Sequence, residues 1–153
     1  MFRNNQCAMK GVYVLILRLD AETEIRIGKI GNIPFLKGYY AYIGSAQGSG
    51  GFRRVTRHFD VASGKNRTKR WHIDHLLPHS AVEYAVLLPA CEDIECAVAR
   101  TIGQSLCEIP GFGSTDCGCS THLFFAEKDP RDIIIRAGSR FIENESIIIN
   151  PHM

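Results

Sequence analysis

The chain reads as a mixed α/β domain, a small antiparallel sheet flanked by helices. Three observations predict this. Apolar and β-branched runs bounded by turn residues recur at 11–19, 82–88 and 122–126. Ile94, Val98, Ile102 and Leu106 repeat at a four-residue step, along one helix face. The 153 residues, 45% hydrophobic and 22% charged, are enough for one independent core and match no disordered or fibrous composition.

Each element can be justified in order. Gly11 to Leu19 (Gly-Val-Tyr-Val-Leu-Ile-Leu-Arg-Leu) is a buried strand. Asp20 to Thr23 is a turn, and Glu24 to Ile30 alternates as a half-exposed strand until Gly31, Asn32 and Pro34 interrupt it. Lys37 to Gly44, with three tyrosines, is a third strand, and the three are expected to form an antiparallel meander. Glycines 44, 48, 50 and 51 form a flexible loop that lets backbone approach a phosphate. A helix comes next near 51–59, then a polar loop at 64–68 and a short helix over 71–77 stopped by Pro78. Val82 to Leu88 is a central strand, and Cys91 to Cys107 is the firmest helix. Ile109 to Ser120 is a glycine-rich loop before a strand at 122–126. The runs Ile133–Ile135 and Ile147–Ile149 read as tail strands, a hairpin or a dimer edge.

Charge is unevenly placed. The net charge is +2, yet Arg53, Arg54, Arg57, Lys65, Arg67, Lys69 and Arg70 fall within 18 positions, against one acid, Asp60. A basic segment on an otherwise acidic chain suits a phosphate backbone; a solvated helix and loop is the plainer reading. No apolar run of about 18 residues predicts a membrane span. The polar start, Met1 to Gln6, lacks a signal-peptide core, so the cytoplasm is expected. With no secretion signal, the six cysteines read as small buried residues or a partial metal site rather than a disulfide framework.

Several residues are able to carry chemistry. Glu95 opens the long helix; it is a first-turn acid favoured by the helix dipole, or a ligand for Mg²⁺ or Mn²⁺ together with water and substrate phosphate. Arg54 and Arg57 share one side of their helix, and a guanidinium grips phosphate bidentately. Tyr13 and Tyr42 are core aromatics or groups that order water; with a phenol pKa near 10, either needs help to act as a base. His72 and its neighbours form a helix edge or a site wall. Cys117, Cys119 and His122 offer three soft ligands within six residues. Zinc would need a fourth, such as His72 or His75, and the spacing matches no common zinc motif. The stretch therefore reads first as a tight cysteine-lined loop.

In chain order, Gly11-Val12-Tyr13, Tyr42-Ile43-Gly44, the Arg54–Phe59 helix and Glu95 resemble the signatures of the GIY-YIG nuclease superfamily, over about residues 10–108. That superfamily includes homing endonucleases, some restriction enzymes and the N-terminal domain of the excision-repair nuclease UvrC. More narrowly, the chain resembles a largely uncharacterised, mainly archaeal and bacterial branch. That match rests on Tyr42–Ala46, Arg57-His58, Trp71–Asp74 and Gly111–Leu123. The resemblance implies Tyr13, Tyr42, Arg54, His58 and Glu95 as catalytic residues, with Glu95 holding Mg²⁺ or Mn²⁺. It implies nucleic-acid contacts from Ser45, Arg53, Arg57, Lys65, Arg67, Lys69, Arg70 and His72. Residues 1–128 would be the nuclease-like domain, with 129–153 an extension packed on it or at an oligomer interface. The activity implied is endonucleolytic cleavage of DNA in repair or processing, alone, as a homodimer or with a repair partner. Three departures stand beside it. The signatures lie 28 residues apart, longer than the superfamily's usual spacing, which predicts an inserted hairpin over 20–37. Ser45 comes after the second signature where the repair nuclease has lysine, and the asparagine that closes many such sites has no counterpart. Both point to the alternative, a non-catalytic nucleic-acid-binding module on the same scaffold.

Overall fold

A computed structural model describes residues 10–114 and 117–151. Cys7 and the Thr115-Asp116 pair of the cysteine loop lie outside them. The described chain is α+β, with four α-helices and eight strands in a six-stranded antiparallel sheet and a separate two-stranded ribbon.

Strand β1 (Gly11–Leu19) runs through the middle of the large sheet. It pairs antiparallel with β4 (Gly38–Ser45) on one side and β5 (Ala81–Pro89) on the other. Its apolar run is continuous because both faces are covered. Tyr13, Leu15, Leu17 and Leu19 enter one core, and Val12, Val14 and Ile16 the other. The first face is covered by helix α1 (Arg53–Ser63), short helix α2 (His72–Leu76) and the ribbon β2 (Thr23–Ile27) and β3 (Gly31–Phe35). The second is covered by helix α3 (Glu95–Gly103) and helix α4 (Arg131–Ser139). Strands β6 (Cys107–Glu108) and β7 (Leu123–Ala126) extend the sheet beyond β4, and β8 (Ile147–Ile149) extends it beyond β5.

Local chemistry sets these boundaries. Helix α1 buries Val55, His58 and Val61 at three-residue steps and ends where Gly64 turns left-handed at φ +89°. Helix α2 begins with one half of a capping box: Asp74, three residues after Trp71, accepts the Trp71 amide at 3.0 Å.

The structure departs from the sequence expectation in four places. The first three strands are not a meander: β2 and β3 pair only with each other, an insertion between β1 and β4. Pro34 lies inside β3, which tolerates it because each strand of a two-stranded ribbon has an open edge. Helix α3 is shorter than 91–107: Ile94 is non-helical, Asp93 caps the Glu95 amide at 3.2 Å, and Cys107 already belongs to β6. The run Ile133–Ile135 is helical, because a helix there sends Ile134 and Ala137 into the second core and sets Gly138 against Leu88. Run and core together place residues 131–149 on the same sheet as the rest of the chain, with β8 paired to β5. Among the described residues no helix is long and apolar enough to cross a membrane.

Candidate functional site

The end of the sheet where β1 begins and β4 stops carries a cleft of about 290 Å³. Its wall includes Tyr13, Tyr42, Ser45, Arg54, Glu95 and Trp71. Five segments meet here. Strands β1 and β4 supply the phenols, α1 the guanidinium, the entry to α2 the indole, and α3 the carboxylate from its first turn.

Register explains how the two tyrosine-glycine tripeptides work together. Tyr13 on β1 stands directly across from Gly44 on β4. A Cβ at residue 44 would overlap Tyr13 Cζ and Oη, so glycine is what lets the ring lie over the strand. The Tyr13 hydroxyl is then 2.7 Å from His58 Nε2, inside the first core. Both side chains are almost wholly buried. Burial pushes Tyr13 well above its ordinary pKa of 10.0, and the nearby Tyr42 phenol adds to this, while the Arg54 guanidinium opposes it. Tyr42 is raised as well, by burial and then by the Glu95 and Asp74 carboxylates. Burial lowers His58 to about 4. Its Nδ1 meets no partner among the described residues. An orphaned N–H costs more than an orphaned lone pair, so the proton belongs on Nε2, which donates to Tyr13 Oη. The Tyr13 O–H is thereby left to point elsewhere.

The buried imidazole makes stability depend on pH. His58 is folded neutral, with its pKa below the ordinary 6.5. Above pH 6.5 both folded and unfolded chains hold a neutral ring. As pH falls toward about 4 the unfolded chain takes up the proton first, so stability is lost across that window. The expected loss reaches about 3 kcal/mol, read as a falling urea midpoint. His58→Gln should flatten the slope, and a variant with the wild-type slope would remove His58 as its cause.

Arg54 Nη1 donates to the Ser45 carbonyl at 3.0 Å, and its Cζ lies 5.1 Å from the centre of the Trp71 ring. Arg57 and Arg70 approach the same ring at 4.3 and 5.5 Å. Of the basic residues singled out in the sequence, Arg70 lines the cleft, while Arg53, Lys65 and Arg67 are exposed beyond it. Lys69 is exposed too, with its Nζ on the Asp74 carbonyl at 3.0 Å. Arg57 is committed elsewhere, in a bidentate pair with Asp74 at 3.0 Å through each Nη. His72 lines the cleft but accepts the Gly113 amide on Nδ1 at 2.9 Å, so it anchors the glycine-rich loop.

Glu95 reaches the cleft from α3 with its side chain 21% exposed. Oε1 lies 4.0 Å from Nδ1 of His122, which burial keeps below its ordinary pKa and therefore neutral. Beside this pair lies a cluster able to hold a metal: one donor atom each of Cys96, Cys117, Cys119 and His122, all within 4.8 Å of one another. Hydrogen bonding to Cys119, then burial, pushes the Cys96 thiol up to about 12. The other described cysteines are neither small core residues nor part of the cluster: Cys107 is exposed and free, and Cys91 is exposed and disulfide-bonded.

Four participants have no individual role in the sequence reading: Trp71 and Asp74, which it places only on a helix edge or site wall, Gly113 and Cys96. An acid at the third position of a short helix, Asp74 after Trp71, is the available signal for two of them. Neither His72 nor His75 completes the cysteine set; Cys96, beside Glu95, does. A family model described as a domain of unknown function, DUF123, matches residues 12–143, and the chain belongs to that family. No curated protein and no solved structure gives a match.

Proposed function

We propose that this DUF123 member is an endonuclease that hydrolyses nucleic-acid phosphodiesters, acting on DNA in cytoplasmic repair or processing. One observation carries the reading. Tyr13, Tyr42, Arg54 and Glu95, far apart in the chain, line a single cleft beside an exposed basic segment.

Each side chain has a task its environment supports. Arg54 spends one N–H on Ser45 and keeps the remainder of its fork for a phosphate, where it offsets charge gained in the transition state. Tyr13, kept neutral by burial, is a donor: its O–H orients the attacking water or a phosphoryl oxygen. It does not take the proton, because His58 at about 4 is too weak a base to relay one. Among the described residues Glu95 is the only carboxylate in the cleft wall. One carboxylate, completed by water and substrate phosphate, suits Mg²⁺ or Mn²⁺. Bound there, such an ion supplies Lewis-acid charge at the phosphoryl oxygen and a more acidic water. Arg53, Lys65, Arg67 and Arg70 track the backbone without reading bases.

The test is nicking of supercoiled plasmid and of branched DNA with Mg²⁺ or Mn²⁺. Wild type is expected to nick, and Glu95→Ala to lose nicking while retaining salt-sensitive binding. A fully active Glu95→Ala would remove the carboxylate from the chemistry. Among the described residues the cleft wall holds no lysine and no asparagine, which favours a second reading, a non-catalytic binding module. Wild-type binding without nicking under either metal would support it.

A further inference from the structure

We infer that the chain holds one Zn²⁺ on Cys96 Sγ, Cys117 Sγ, Cys119 Sγ and His122 Nε2. This closed structural site would fasten the glycine-rich loop to the first turn of α3. The inference does not rest on the nuclease reading, and the site is distinct from any ion on Glu95.

The donors are already gathered. Zinc–sulfur bonds of about 2.3 Å in a tetrahedron set sulfurs about 3.8 Å apart. The four donors lie within 4.8 Å of one another, so the widest pair has only about 1 Å to close. Cys117 Sγ and His122 Nε2 are 3.4 Å apart, already at ligand-to-ligand spacing. Three thiols and an imidazole are soft and borderline donors that select zinc over magnesium or calcium. Four protein donors leave no open position, the mark of a structural rather than a catalytic site.

The surroundings agree with the donor set. His122 is 3% exposed and turns Nε2 toward the thiols, so its proton belongs on Nδ1. Nδ1 faces Glu95 Oε1 at 4.0 Å, the carboxylate–histidine order found behind ligating histidines. The loop itself is also anchored by Phe112, buried in the first core, and by the Ser120 hydroxyl on Glu108 Oε1 at 2.8 Å. Between Ile109 and His122 its backbone ties include Gly111 to Ser120, His122 to Phe112 and the Gly113 contact to His72. A metal joining Cys117, Cys119 and His122 to Cys96 would cross-link that loop to a helix over 20 intervening residues.

The test uses the full-length chain under reducing conditions, given Zn²⁺ and dialysed, with metal content and thiol alkylation as readouts. One equivalent of zinc per chain is expected, and Co²⁺ in its place should give the absorption of tetrahedral cobalt with thiolate ligands. With zinc bound, Cys96, Cys117 and Cys119 should resist alkylation while Cys107 reacts; a chelator should open the three protected thiols. Cys119→Ser should lose the metal and Cys107→Ser keep it. No bound zinc in wild type, a disulfide among the three thiols, or Cys96 reacting as fast as Cys107 with zinc present would each overturn the site. None of these readouts depends on DNA cleavage.

Discussion

Arg54→Ala is expected to slow nicking by about 10³-fold, the scale of losing one preorganised group that meets charge in a transition state. The position explains the size. Arg54 is the second residue of α1, held between the Ser45 carbonyl at 3.0 Å and the face of Trp71 at 5.1 Å. That grip fixes a long side chain before substrate arrives, so little ordering entropy remains to be lost on binding. Arg54→Lys keeps the charge but loses the planar fork, so it should recover only a small part of the rate. Single-turnover nicking at saturating DNA separates this from weaker binding. An Arg54→Ala rate within a few-fold of wild type would take the guanidinium out of the reaction.

The second large effect is on stability. Asp74→Ala should cost about 3 kcal/mol, the low end of the range for a buried ion pair that loses one partner. Asp74 is wholly buried and accepts four hydrogen bonds: two from Arg57, one from the Arg70 amide at 2.8 Å and one from the Trp71 amide at 3.0 Å. Burial alone would raise its pKa, but the Arg57 guanidinium and the two amides outweigh it and hold the carboxyl below 3.8. The folded state therefore favours the ionised form. That contribution is full above the ordinary value and is lost as pH falls below 3.8 toward the folded pKa. Urea midpoints of wild type and Asp74→Ala should differ at pH 7 and converge in strong acid. Arg57→Ala strands a buried carboxylate, so the double variant should be less damaged than the two single losses added together. Additive losses would show that the pair is not coupled.

How legible these features are in the sequence depends on which force dominates locally. Strand β1 is readable because burial on both faces demands an unbroken apolar run, and the sequence supplies one. The buried face of α3 is readable for the same reason, through Ile94, Val98 and Ile102. Its ends are not, because a single side chain, Asp93, decides where the helix starts. Ile133–Ile135 misleads because β-branched residues favour strands only weakly, and the gain from burying Ile134 and Ala137 as a helix exceeds that preference. Tyr13, Tyr42, Arg54 and Glu95, like His58 buried behind Tyr13, can be named from chain order and resemblance, and the first four line the cleft. Their convergence on one cleft is a matter of register between β1 and β4 and of the helix ends, which spacing does not encode. Cys96 is hidden twice over: it lies 21 and 23 residues before the other cysteines of its cluster, and its neighbour Glu95 draws the functional reading.

The indole of residue 71 is the chain's single tryptophan, and three guanidinium carbons lie within 5.5 Å of its centre. Red-edge ultraviolet excitation therefore selects one emitter, already installed in the wall of the cleft. A phosphate drawing Arg54 or Arg70 from the ring would change that emitter's surroundings, and unfolding distant from it would not until the wall itself gave way. The unmodified protein thus carries its own optical gauge of cleft occupancy, readable without a label and without turnover.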